Sequence, residues 1–328
     1  MDKLTNDQNS QSDEAPLRYG FDCLPEEVVV DIASRLPITS LLQFTFVRKL
    51  FYNLSRDPEL VNLHLSRAVK NDPCIIIYSG DQLYFLEFSD HGIMEQEAVR
   101  KISTPFIDSL PEFEVVGSCY GLLCLHDTLL GESLYVYNPF TRSYKVLPTY
   151  VEHFVQGVMF GFGFHPITKE YKLIKILVPY PNQNCISVIE VLTLGSNIWR
   201  YVCEMPFEID PSSEGIMLNG KMHWFTQFAK YNGRCDRLIV SFDFADEVFG
   251  EEFIIGTYNT PNPNCLLPHI PPLGKVLCLL KNGELLLEYL CGNLVLYDPQ
   301  NGVFRTLSLP RMRGLFQTIL HVGCLKCV

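Results

Sequence analysis

The sequence predicts a mainly β fold, in which a small helical unit at the head of the chain is followed by a ring of repeated strand units of the β-propeller kind. Three observations lead there. Residues 24–68 carry apolar side chains at helical spacing, punctuated by the pairs Leu24-Pro25 and Leu36-Pro37. From Asn71 onward, apolar runs of strand length alternate with Asn-Gly, Asn-Pro and Asp-Pro turns. Those runs recur with a period close to the size of one propeller blade.

Taken in order, residues 1–20, "MDKLTNDQNSQSDEAPLRYG", are polar, lack the apolar stretch of a secretory signal, and read as a disordered tail. A helical unit is expected over 21–70. On a helix through "LPEEVVVDIASRLP" (24–37), Val28, Val29, Ile32, Ala33 and Leu36 share one broad stripe, with Glu27, Asp31 and Arg35 opposite. Pro25 suits the first turn and Pro37 forbids continuation. Three consecutive valines are poor helix formers, so packing must hold this helix. Val30 falls outside the stripe, which hints at a second contact surface. Leu24 stands where a Ser, Thr, Asp or Asn would cap best, and is better explained by an apolar cover.

A second helix is expected from Thr39 or Ser40, carrying Leu41, Leu42 and Phe44, and a third over 48–54 with Phe51 and Leu54 inward. Asp57 then caps a stretch opening on Pro58, whose Leu60, Leu63, His64 and Ala68 keep helical spacing. A three-helix unit of this size buries too little surface to stand alone. It either caps the following domain or shares its core with a partner.

The remainder, 71–328, repeats a hairpin in which a large apolar residue faces another seven positions on. The pairs are Tyr137/Tyr144, Phe164/Tyr171, Leu192/Trp199, Phe242/Phe249 and Tyr297/Phe304. One terminal hairpin per unit starts at 137, 192, 242 and 297, a spacing of 50 to 55 residues, and a fainter copy lies near Leu86. Units of this length with about four strands match propeller blades, and a ring disposes of exposed sheet edges. Segment 253–274 holds Pro261, Pro263, Pro268, Pro271 and Pro272, which cannot donate ladder hydrogen bonds, so a loop is expected there. About five blades are recognisable: either five close the ring, or one is missing and the ring is weak at that loop.

Composition narrows the function. A net charge of −11 over 328 residues argues against a general nucleic-acid binder. No apolar run reaches the roughly 18–20 residues that span a bilayer. The expectation is a soluble intracellular protein of the cytoplasm, the nucleus or both. Most of the twelve cysteines sit in apolar stretches, as reduced core residues would. Cys324 and Cys327 follow His321 closely, but a zinc site needs a second half-site, so no metal is assigned. No nucleophile elbow, metalloprotease helix or P-loop occurs. "GFGFHP" (161–166) places Pro166 and a turn where a nucleotide-binding helix would start. No catalytic residue, cofactor or substrate-binding residue is assigned.

"LPEEVVVDIASRLPITSLLQFTFVRKLFYNLSRDPELVNLHLSRA" resembles the F-box of plant F-box proteins over residues 24–68. It departs where Phe46 replaces the usual Cys and Phe51 the usual Trp. "GSCYGLLCL", "LYVYNPFTRSYKVLP", "FGFGFHPITKEYKLIKI", "SFDFADEVF" and "VLCLLKNGELLLEY" resemble the F-box-associated domain of the same family, over most of 115–310. The resemblance implies the substrate receptor of an SCF-type E3 ubiquitin ligase. The F-box would dock the small adaptor that leads to a cullin, and the propeller would hold a target protein. Adaptor contact is then expected among Leu24, Pro25, Val28, Ile32, Leu36, Pro37, Leu41, Leu42, Val47 and Phe51, about half of which must instead fill the unit's own core. A scaffold without degradation and a propeller enzyme are the alternatives.

Overall fold

The computed structural model describes residues 24–47, 49–71, 73–79, 82–86, 99–106, 108, 110–129, 133–148, 157–165, 167–180, 187–205, 209–210, 215–226, 229–231, 234–255, 274–289, 293–307 and 317–328. Four helices come first: α1 (Glu26–Ala33), α2 (Ile38–Val47), α3 (Lys49–Leu54) and α4 (Pro58–Ala68). Among the described residues the unit thus has four helices, one for each of the four stretches at helical spacing, where the unit was counted as three. Asp57 Oδ1 accepts from the Glu59 amide at 2.7 Å, with Pro58 in the first turn. At the head of α1 no side chain caps; the Pro25 carbonyl accepts from the Val28 and Val29 amides instead.

The expected stripe on α1 is corrected. Its inward residues are Val29, Val30 and Ala33, while Val28 and Ile32 are exposed. α1 packs on α2–α4 through the narrower arc centred on 29, 30 and 33, so the row Leu24, Val28, Ile32, spaced four apart, is rotated outward. Arg67 of α4 fixes that rotation: it donates to the Asp31 carboxylate at 2.6 Å, to the Asp31 carbonyl at 2.9 Å, and to Ser34 Oγ. Asp31 also receives Arg35 from one turn on. Hydrogen bonds from Arg35, then Arg67, hold its carboxyl below the usual carboxylate range.

Among the described residues the strands form five antiparallel sheets. The first holds β1 (Cys74–Ser79), β2 (Gln82–Leu86) and β3 (Val99–Ile102), and the second β4 (Phe113–Cys119), β5 (Leu122–Asp127), β6 (Leu134–Tyr137) and β7 (Tyr144–Val146). The third holds β8 (Gly157–His165), β9 (Glu170–Val178), β10 (Ser187–Thr193) and β11 (Arg200–Met205). The fourth holds β12 (Ile216–Leu218), β13 (Lys221–Phe225), β14 (Ala229–Tyr231), β15 (Arg234–Asp243) and β16 (Phe249–Ile255). The fifth holds β17 (Gly274–Leu279), β18 (Leu285–Tyr289), β19 (Asn293–Asp298) and β20 (Val303–Leu307).

The last strand, β21 (Gln317–His321), pairs with β1 and becomes the innermost strand of the first sheet, Cys74 opposite His321. The ring is thus a five-bladed propeller whose first blade is built from both ends of the strand-rich region. β16 runs to Ile255 and β17 starts at Gly274, and the rest of the proline-rich segment expected as a loop lies outside the described residues.

Four of the five hairpin pairs read from the sequence lie opposite one another. Tyr137 faces Tyr144, Phe164 faces Tyr171, Phe242 faces Phe249 and Tyr297 faces Phe304. The last three pairs bring ring centroids to 4.6, 5.2 and 4.5 Å. The hairpins at Tyr137, Phe242 and Tyr297 are outer strand pairs of their blades, whereas Phe164/Tyr171 is an inner pair.

Apolar clusters join neighbouring blades. Phe85 and Phe113 belong to the cluster between the first and second, Leu122 and Phe162 to the next, Ile176 and Trp224 to the third. Ile77 and Leu294 join the first blade to the fifth. Among the described residues no such cluster joins the fourth blade to the fifth. Because strands alternate in direction, the turns after the first and third strand of each blade leave on one face. In the second, third and fourth blades Tyr120, Arg142, Lys169, Asn219 and Glu247 adopt positive φ in such turns. β21 ends and β1 begins on that same face, which is where the helical unit sits.

Candidate docking face

The structure divides the ten residues expected at an adaptor contact. Leu24, Pro25, Val28, Ile32, Pro37 and Val47 are exposed, and Leu36 and Leu42 are half-buried. Leu41 and Phe51 are buried in the unit's own core, Phe51 against Phe44 with ring centroids 5.3 Å apart. Those two fall in the part of the set expected to fill the unit's own core: in the folded chain their side chains are already covered. Phe46, absent from the set, is 90% exposed beside Val47 at 74%. The sequence carries no signal for it, since adjacent apolar residues of one helix can share a core, as Val29 and Val30 do.

His64 is buried on α4. Its Nε2 lies 3.1 Å from the Leu36 carbonyl, which fixes the neutral tautomer with the proton on Nε2, and burial lowers its pKa. Through this bond α4 holds the turn between α1 and α2, and with it the presentation of Leu36 and Pro37.

The ring offers groups that could have been chemical. Ser118 Oγ lies 3.0 Å from His321 Nδ1, and Phe140 stacks on the same imidazole at 5.8 Å. Burial drives the His321 pKa down to about 3, so it stays neutral and is a feeble base at neutral pH. Burial likewise pushes the Cys119 thiol up to about 12 and the Cys324 thiol to about 11, which keeps both protonated. Cys324 is buried and Cys327 exposed. Among the described residues no group of three or more His, Cys, Asp or Glu is placed to hold a metal ion, and no helix is long and apolar enough to cross a membrane.

The buried charges are structural. Lys172 Nζ donates to the Phe244 carbonyl at 2.7 Å and to Glu247 Oε1 at 2.9 Å, tying the third blade to the fourth. Arg200 reaches the same carboxylate through both oxygens. Burial raises the Glu247 pKa, but the hydrogen bonds from Lys172 and Arg200 outweigh it and leave the group below its ordinary value.

The chain is thus a five-bladed propeller carrying a helical unit with an uncovered apolar row, the kind of surface that marks an interaction site. Residues 72–279 match the family described as the F-box associated beta propeller domain, and the chain belongs to the F-box proteins that carry this domain. It is 31% identical to F-box protein At3g07870 of Arabidopsis thaliana, over 94% of this chain and 92% of that one. It is 28% identical to F-box protein At3g57590 of the same plant, over 72% of this chain and 58% of that one. The F-box/LRR-repeat/kelch-repeat protein At2g27520, also of that plant, is 28% identical over 69% of this chain and 59% of its own length.

Proposed function

We propose that the chain is the substrate-recognition subunit of an SCF-type E3 ubiquitin ligase, with residues 21–70 as the F-box and 71–328 as the receptor ring. The observation that carries this reading is the outward row Leu24, Val28 and Ile32 on a helix whose other apolar residues are buried. The row continues the apolar character of Leu36, Leu42, Phe46 and Val47. An adaptor subunit that covers this row completes the helical unit's core and links it, through a cullin, to a ubiquitin-loaded enzyme.

The chain's own contribution to ubiquitin transfer is proximity, not bond making. Holding a target beside the enzyme raises its effective concentration. The neutral His321 and protonated cysteines suit that role, since they supply neither base nor nucleophile at neutral pH. The reading assigns the target protein to the face of the ring away from the helices. Nucleic acid and membrane are not among the proposed partners, in keeping with the net charge of −11. The proposed location is the cytoplasm, the nucleus or both.

The test is co-expression with a recombinant plant SCF adaptor, followed by capture of ubiquitinated proteins under proteasome inhibition. A stable adaptor complex with target turnover supports the reading. A complex without turnover makes the chain a scaffold, and no complex overturns the docking assignment.

A further inference from the structure

Residues 322–328 follow β21 and cross from the ring to the helices. Leu325 is buried in the helical core with Val29, Leu41, Phe51 and Leu60. Gly323 lies so close that a Cβ there would fall 2.7 Å from Ile38 Cγ2 and 3.0 Å from the Phe140 ring. On the ring side, the Lys326 ammonium sits 4.2 Å from the Tyr171 ring centroid, and the Val328 amide donates to Ser143 Oγ at 3.2 Å.

Asn138, fully buried, connects the two sides. Its Oδ1 accepts from the Phe140 and Thr141 amides at 2.8 and 3.2 Å, shaping the turn between β6 and β7. Its Nδ2 donates to the Cys324 carbonyl at 3.0 Å and the Lys326 carbonyl at 2.7 Å. The corresponding turns of the fourth and fifth blades use Asp243 and Asp298, whose carboxylates accept the same two amides. Those turns need only an acceptor. An amide at 138 adds two donors, and both go to the crossing segment.

We propose that residues 322–328 are a strap, clasped by Asn138, that fixes how the helical unit sits on the ring. That this sets the distance between a captured target and the ligase rests on the function proposed above; the strap itself does not. Asn138→Asp separates the two roles of the residue. The turn keeps its acceptor, as Asp243 and Asp298 show, but both donors are lost and a carboxylate faces two carbonyls.

The experiment is hydrogen exchange by mass spectrometry on the full chain, comparing the parent with Asn138→Asp and, separately, Leu325→Ala. In both variants peptides from α1–α4 should exchange at least about tenfold faster, while those from β18–β20 keep the parent rate. Either variant leaving the helices at the parent rate overturns the proposal. Equal acceleration of the fifth blade overturns it too, since Asn138 would then serve the ring as a whole. Adaptor binding by the parent is measured in parallel; its failure sinks the docking reading and leaves the exchange result standing.

Discussion

The ring and the helical unit solve the same problem differently. Each blade turns apolar residues toward its neighbour, and side chains as large as Trp224 and Phe162 are buried between sheets. The helices bury Val29, Ala33, Leu41 and Leu60 in one small core, yet leave Val28, Ile32, Phe46 and Val47 open. They also borrow Leu325 from the far end of the strand region. A ring of like units can supply its own neighbours, whereas four short helices run out of partners before they run out of apolar surface. The uncovered row is what a docking unit needs, and the borrowed leucine is how it stays attached.

The largest expected effect lies in the ring. Trp224→Ala empties the cluster between the third and fourth blades and should cost about 3–5 kcal/mol in urea unfolding. A loss below about 1 kcal/mol would mean that this blade interface is not the core described. Lys172→Met comes next. It leaves the Glu247 carboxylate paired with Arg200, so the cost should be about 2–3 kcal/mol, under the usual ~3–5 for an orphaned buried charge. If the variant is as stable as the parent, the blade-to-blade tie carries no weight.

Acid probes both regions at once, because each contains a buried neutral histidine, His64 or His321. The unfolded chain takes up protons near pH 6.5, whereas burial holds both histidines lower in the fold, His321 at about 3. The unfolded state therefore binds more protons across that window, and stability must fall as pH drops from about 6.5 toward 3. Melting temperatures at pH 7.5 and 5.0 should show the fall, and His321→Gln should flatten it. Identical melting at the two pH values would show that these rings are not buried neutral.

Much of the ring was legible because its signals are local. A turn of fixed length places residues seven apart across from each other, and this is why Tyr137/Tyr144 and Tyr297/Phe304 could be paired from the sequence. The contribution of β21 to the first blade was not legible. Cys74 and His321 are 247 positions apart, and nothing in either segment names the other. The same limit hid Leu325 inside the helical core and the two extra donors of Asn138. An Asn in a turn is visible in the sequence, but the carbonyls it reaches are not. On α1, periodicity found an apolar helix but put Val28 and Ile32 with Val29 and left Val30 out. Which arc of a broad stripe faces inward is decided by the neighbours, here by the grip of Arg67 on Asp31.

The smallest expected effect on stability is at the docking row. Val28→Ala with Ile32→Ala removes exposed methyl groups and should change the unfolding free energy by no more than about 0.5 kcal/mol per site. The same two substitutions give the most direct measurement of the central claim, that the helices are completed by an adaptor. Titrated with purified plant SCF adaptor, the full-length parent should bind, and the double variant should bind at least about tenfold more weakly while melting like the parent. Equal affinity in parent and variant would contradict the claim, and the uncovered row on α1 would then need another explanation.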